Sequence, residues 1–401
     1  MTTNPGVLKL DLALRGARLG AGVKNHPDLA AIAGQAEGAA RSLELVLPEE
    51  VWVCAPVGGA EASPFELRAE GDAFVVAGDG QRCEVRIIPP PTFYGQTTRG
   101  GVPMRQVGAA YGGYLAIDPA AGGEVGPRPL ADAFCDESGP RPAGPTPLAV
   151  NDVVETVRAA FAEGAVEFVY LHTARPDDDS AGVEFIEPYV RAIKRHFDTL
   201  VAVQLAPPRE NRWIDRAYAI GVDGISYAVG IHDEATLARH CPQRMARVGR
   251  ERYYEALRHA ASIFPSGTVW STLVVGAEPA ASTIAGIDAL VGMGVLPVLS
   301  VFRGADDAQP QPGAADVAPV LAHLFRAVRD ARINMHWVRD LSFAVTPIEA
   351  RFFAGDEARA SVGTGQFYRS RLGALAARNL SRLRRRLRVR QVSDSFDSSH
   401  L

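Results

Sequence analysis

His172 closes the apolar run VEFVYLH (166–172) and is followed at once by Arg175 and the acidic triplet Asp177, Asp178 and Asp179. An imidazole titrates near neutral pH, so His172 could act as a general acid or base, with a carboxylate to orient it. The plain alternative is a histidine hydrogen-bonded in a loop beside a solvated acidic turn. No HxxxH or HxH spacing supports metal binding by His172 and these carboxylates. Glu278 follows another apolar run in VVGAEP, where Gly276 permits close backbone approach and Pro279 suits the first position of a helix. Its carboxylate fits either a ligand contact or the positive end of that helix. Arg303, after VLPVLSVF (295–302), carries a planar fork able to grip a substrate carboxylate or to form a surface ion pair. Gln204, Tyr227 and His232 add polar groups at or just beyond the ends of other apolar runs. Cys135 stands beside Asp136 and Glu137, which raise a thiol pKa and discourage a nucleophilic thiolate.

The elements that must position these residues follow from the pattern. Six runs rich in β-type residues, at 114–117, 166–172, 200–206, 223–229, 268–275 and 295–302, alternate with helical stretches at 153–163, 183–197, 211–220, 249–264 and 280–292. In the fourth helical stretch Tyr253, Ala256, Leu257, Ala260 and Phe264 keep the helical period. Strand and helix in alternation imply parallel strands joined by right-handed crossovers. Periodicity alone fits a barrel and a doubly wound sheet equally well.

Before this region, Val7 to about Pro91 contains short strand-like runs divided by Gly, Asp, Pro and Ser turns, which predicts a small β-rich N-terminal domain. After it, DDAQPQPGAAD is a polar, Pro-rich linker, and helical periodicity resumes over 317–337 and again over 365–390. The expected division is therefore 1–99, 100–305 and 306–401, the last a helical C-terminal extension with a polar tail. In 382–390 six arginines accompany regularly spaced leucines, as at the end of an amphipathic helix or in an anionic docking patch.

Composition narrows the function classes. Of 401 residues, 47% are hydrophobic and 22% charged, which suits a folded globular chain rather than a disordered one. A net charge of −4 provides no global field for nucleic acid. The opening MTTNPGVLKLDLALRG lacks a cationic leader with a long apolar run, and 289–302 is too short and interrupted to span a bilayer, so a cytoplasmic protein without a membrane span is expected. Cys54, Cys83, Cys135 and Cys241 form no CxxC pair, which argues against a zinc ribbon or a disulfide framework. The glycines of GGVPMRQVGAAYGG lack GxGxxG and Walker spacing.

An ordered series of segments carries a resemblance. GGVPMRQVGAAYGGYLAIDPAAGG, ADAFCDES, AVQLAPP, WIDRAYAIGVDGISYAVGIHDE, HCP with GRERYYEAL, TLVVGAEP and VLPVLSVFRG together look like the barrel domain of the radical S-adenosylmethionine (SAM) superfamily, over roughly 100–305. The resemblance implies an α/β fold, a partial (β/α)6 TIM-like barrel of radical SAM type, with the strand C-termini forming the working mouth. It places the first two cluster-ligand positions at Gly123 and Asp132, with only Cys135 retained. A [4Fe-4S] cluster of this superfamily needs three thiolates, so the cluster is not expected. The fourth-strand acidic position falls on Gly230, and HTARPDDD stands in place of the GGE segment after the second strand.

What remains implied is SAM as cofactor, contacted by Gln204, Tyr227, Gly276 and Glu278, with His172, Glu278 and Arg303 as catalytic residues for a small-molecule substrate. Polar transferase or lyase chemistry is one reading. A non-catalytic partner of an active radical SAM relative, as homodimer or heteromer, is another, and a radical SAM enzyme with atypical cluster ligands is a third.

Overall fold

Buried strands of a parallel sheet need apolar residues on both faces, and the run Val269–Val275 is buried at every position. The computed structural model describes residues 3–24, 42–57, 62–120, 147–173, 179–302 and 312–355. Gly123, Asp132, Cys135, Arg175, Asp177, Asp178, Arg303 and the basic run 382–390 lie outside these described residues.

The chain begins with a helix, α1 (Pro5–Arg15), at the start of the part expected to be β-rich. Leu8, Leu10 and Leu12 alternate like a strand, yet Asn4 caps the segment by accepting from the Gly6 and Val7 amides, and Pro5 presets the first turn. The alternation has a different origin. Leu8 and Leu12 enter the core of the N-terminal sheet, whereas Leu10 enters the core of the central sheet. A helix packed on two cores keeps only a narrow outer side, at Val7, Asp11, Leu14 and Arg15, so its pattern is not that of a one-faced amphipathic helix.

The N-terminal sheet contains β1 (Arg18–Leu19), β2 (Ser42–Leu47), β3 (Val51–Pro56), β4 (Glu66–Glu70), β5 (Ala73–Gly78) and β6 (Gln81–Ile88), in the order β1-β4-β5-β6-β2-β3. Only the β1–β4 pair is parallel.

The central sheet starts with an antiparallel hairpin, β7 (Ala109–Tyr111) and β8 (Tyr114–Ile117). It continues through β9 (Phe168–His172), β10 (Val201–Gln204), β11 (Gly224–Ser226), β12 (Val269–Val275) and β13 (Leu296–Val301), each parallel to its predecessor. Between them run α2 (Val150–Glu163), α3 (Val183–His196), α4 (Arg212–Ile220), then α5 (Glu234–His240), α6 (Pro242–Arg247) and α7 (Arg250–Ile263), and finally α8 (Ala280–Gly292). Spatial order equals sequence order, so every crossover advances in the same direction and the helices collect on one face. The result is a partial (β/α)6 barrel, and the barrel alternative left open by periodicity is the one adopted.

After α9 (Ala314–Asp330), residues 333–345 return across the inner face of the barrel. Trp337 meets Phe168 edge-on at 5.2 Å and lies nearly parallel to Trp270 at 6.4 Å, while Phe343 meets Tyr111 and Tyr114. Val345 pairs with Leu299 through two backbone hydrogen bonds of 2.8 Å, extending the sheet beyond β13. At the opposite edge, Gly112 has φ +55 and no room for a side chain, because a Cβ there would stand 1.8 Å from the Asp340 carbonyl oxygen.

Charge ties this segment to the N-terminal part. Lys9 of α1 is buried, pairs with Glu349 at 3.3 Å and donates to the Leu341 carbonyl at 2.8 Å. Burial pulls the Lys9 ammonium below its ordinary range, and Glu349 opposes that pull. Glu44 accepts from Ser342 at 2.9 Å and from the Gly112 amide at 3.3 Å, and its burial pushes its carboxyl upward.

Candidate ligand site at the barrel mouth

Strand alternation and register decide which side chains face inward. Tyr170 pairs with Ala202, and His172 with Gln204, which in turn pairs with Ser226 and then Trp270. Asp118 follows Ala116 at the same alternation, and Thr272 and Ser300 continue it on β12 and β13. A polar row of Asp118, His172, Gln204 and Ser226 therefore rims the inner face where the strands end. Beneath it lies an aromatic floor in which Tyr170 and Trp270 are 6.0 Å apart and 28° from parallel.

His172 Nδ1 stands 4.0 Å from Asp118 Oδ2. Asp118 is largely buried and is fixed by accepting from the Ala120 amide at 3.0 Å through its other oxygen. His172 is more open, with about a third of its side chain exposed (36%), so it can reach a ligand while the carboxylate stays in place. The Tyr170 hydroxyl donates to Gln204 Oε1 at 2.5 Å. The buried hydroxyls of Ser226 and Ser300 have no partner among the described residues. Unpaired polar groups in such a position cost stability unless water or a ligand satisfies them.

The other sequence-derived site residues are placed differently. Glu278 is buried, with Oε2 accepting from the Asp233 amide at 2.6 Å and Oε1 from the Thr283 hydroxyl at 3.1 Å. It thus joins the start of α5 to the first turn of α8. Gly276 has φ +92, and the space a Cβ would take is filled by the Pro312 ring at 2.5 Å. Tyr227 is fully buried with its hydroxyl unpartnered, and burial pushes its phenol upward. Arg303 lies outside the described residues. The register thus brings His172 and Gln204 together, while the contacts of Glu278 run to Asp233 and Thr283. Gly230 rejoins the sheet after the end of β11: its amide donates to the Thr272 carbonyl and its own carbonyl accepts from Val274, both at 2.7 Å.

Sequence reasoning missed Asp118, Ser226 and Ser300. For Asp118 the signal was available, since it ends YLAID as His172 ends VEFVYLH. The serines sit inside strand runs, where a small polar residue reads as packing.

His232, beside the mouth, shares a 2.6 Å hydrogen bond between Nδ1 and the Tyr254 hydroxyl. Burial, reinforced by Arg250 and opposed by Glu278, lowers its pKa from 6.5. The unfolded chain therefore takes up this proton first as the pH falls. The contribution of His232 is fully present above about pH 6.5 and declines as the pH drops from there toward the lowered value. Urea midpoints between pH 7.5 and 5 should fall less steeply in His232→Gln than in the parent; equal slopes would contradict this assignment.

Together, fold and site define a (β/α) partial barrel with a hydrogen-bonding mouth. No protein-family model matches the chain, and no curated protein matches it. Among solved structures it is similar to HydG, a maturase of the [FeFe]-hydrogenase, at 14% identity over 50% of this chain and 49% of that one, with a TM-score of 0.38. The chain thus spans about half of HydG. It is also similar to methylornithine synthase (PylB), at 14% identity over 59% and 72% of the two chains with a TM-score of 0.39. A radical SAM methyltransferase from Sphaerobacter thermophilus aligns at 13% identity over 70% and 81%, with a TM-score of 0.36. No helix among the described residues is long and apolar enough to cross a membrane.

Proposed function

We propose that the protein binds SAM or a related nucleoside in the barrel mouth and carries out polar, non-radical chemistry of transferase or lyase type on a small molecule. The observation that carries this reading is the inward row Asp118, His172, Gln204 and Ser226, with buried hydroxyls that lack partners among the described residues. A packing core does not need such a row. SAM would supply an acceptor oxygen for the Ser300 hydroxyl, and its sulfonium makes the attached carbons electrophilic. His172, oriented by Asp118, takes or gives a proton at its exposed edge. The closed aromatic floor excludes water from below.

The described residues do not fit a three-thiolate cluster at this mouth. Cys83 is buried in the N-terminal sheet core, and Cys54 packs against Tyr111 and Tyr114, at the opposite end of the strands from His172. With glycine and aspartate at positions 123 and 132, this supports loss of the cluster.

Calorimetry with SAM and S-adenosylhomocysteine tests the reading. His172→Ala and Asp118→Asn should leave the melting temperature within a few degrees of the parent and weaken binding at least about tenfold, the loss of one charge-assisted hydrogen bond. Glu278→Gln should behave in the opposite way. It places an amide donor toward the Asp233 N–H or Thr283 hydroxyl and should lower stability by about 1–3 kcal/mol. Absence of heat from either ligand at millimolar concentration would remove the SAM reading, and co-purification with a cluster-bearing relative would then favour the partner role.

A further inference from the structure

We propose that the substrate admitted to this mouth is an uncharged planar heterocycle bearing a ring carbonyl, selected by Gln204 and Ser226. This rests on the mouth being a ligand site and names the class of molecule for it. The selecting geometry starts one layer below. Tyr170 is half-buried, and desolvation of its hydroxyl pushes the phenol well above the ordinary range, so the hydroxyl keeps its proton and donates to Gln204 Oε1. That bond takes one lone pair of the amide oxygen and fixes the direction of the amide, leaving Gln204 Nε2, which has no partner among the described residues, as a donor. Ser226, the register partner of Gln204, faces the same way and adds a fully buried, unpartnered hydroxyl. Two neighbouring donors match the two lone pairs of one carbonyl oxygen.

Charge and shape narrow the class further. Among the described residues, the inward strand positions Asp118, His172, Gln204, Ser226, Trp270, Thr272 and Ser300 include a carboxylate and no lysine or arginine, which disfavours an anionic ring beside Asp118. Tyr170, which keeps part of its ring exposed beneath the polar row, offers an aromatic surface to a planar ring. Tyr170 is a positioning residue here, acting through Gln204.

Pyrimidin-4-one and 4-aminopyrimidine serve as probes by calorimetry: the first carries a single ring carbonyl, the second an amino group in its place and no carbonyl. The parent should bind pyrimidin-4-one at least about tenfold more tightly, since the amino group would face two donors. Gln204→Glu should reverse the order, because a carboxylate accepts from the amino group. Tyr170→Phe frees the amide to turn and should reduce the preference to about threefold or less. Ser226→Ala removes only a hydroxyl and should weaken pyrimidin-4-one more than 4-aminopyrimidine, which keeps the test open if Gln204→Glu fails to fold. Equal or tighter binding of 4-aminopyrimidine by the parent, or an unchanged order in Gln204→Glu, would overturn the inference. If S-adenosylhomocysteine binds without any preference for pyrimidin-4-one, this inference falls and the SAM reading stands. If none of the three ligands binds, both fall.

Discussion

Lys9→Ala is expected to cost about 3–5 kcal/mol of folding stability, the usual loss when one partner of a buried ion pair is removed. The cost comes from what remains. Glu349, almost fully buried, would keep its bonds to the Thr346 amide at 2.9 Å and hydroxyl at 2.7 Å but lose the only ammonium within reach among the described residues. The Leu341 carbonyl would lose its donor as well. Lys9→Met combined with Glu349→Gln should recover a large part of the loss, because a neutral pair of similar shape removes the stranded charge. Urea unfolding of the two variants measures both numbers. A single-variant loss below about 1 kcal/mol would mean that water reaches Glu349 and that the pair is not a closed contact.

Trp337→Ala should be similarly damaging, at about 3–5 kcal/mol for a large aromatic side chain removed from a packed core. Its ring sits between Phe168 and Trp270, so truncation also opens a cavity beneath the mouth. Ligand affinity should therefore fall along with stability, whereas an equally costly change in the N-terminal core, such as Leu45→Ala, should leave affinity per folded molecule unchanged. Calorimetry well below the melting temperature separates the two effects. Unaltered affinity in Trp337→Ala would show that the floor does not support the site.

Much of the central sheet was legible because parallel strands covered on both faces read as continuous apolar runs, as in VWSTLVV, and the intervening helices keep the 3.6-residue period. His172 and Gln204 were legible as polar residues closing such runs. The unreadable parts depended on partners distant in sequence. Helix α1 went unread because its leucines answer two different cores. Nothing local to Glu278 reveals that the Asp233 amide, 45 residues earlier, and the Thr283 hydroxyl hold its two oxygens. The direction in which Ser226 faces appears only once the register with Gln204 is known.

The return of residues 333–345 to the barrel bears on how the chain is made. During synthesis from the N-terminus, the hairpin turn at Gly112 emerges long before the Asp340 carbonyl that it presses against, and Leu299 emerges before Val345. Until the last of these residues leaves the ribosome, the nascent barrel exposes two raw sheet edges and an uncovered row of aromatic rings. Such surfaces invite pairing with other chains. A chain halted before residue 333 should accordingly be a client for chaperones and a poor independent folder, even though all six barrel strands have already been made.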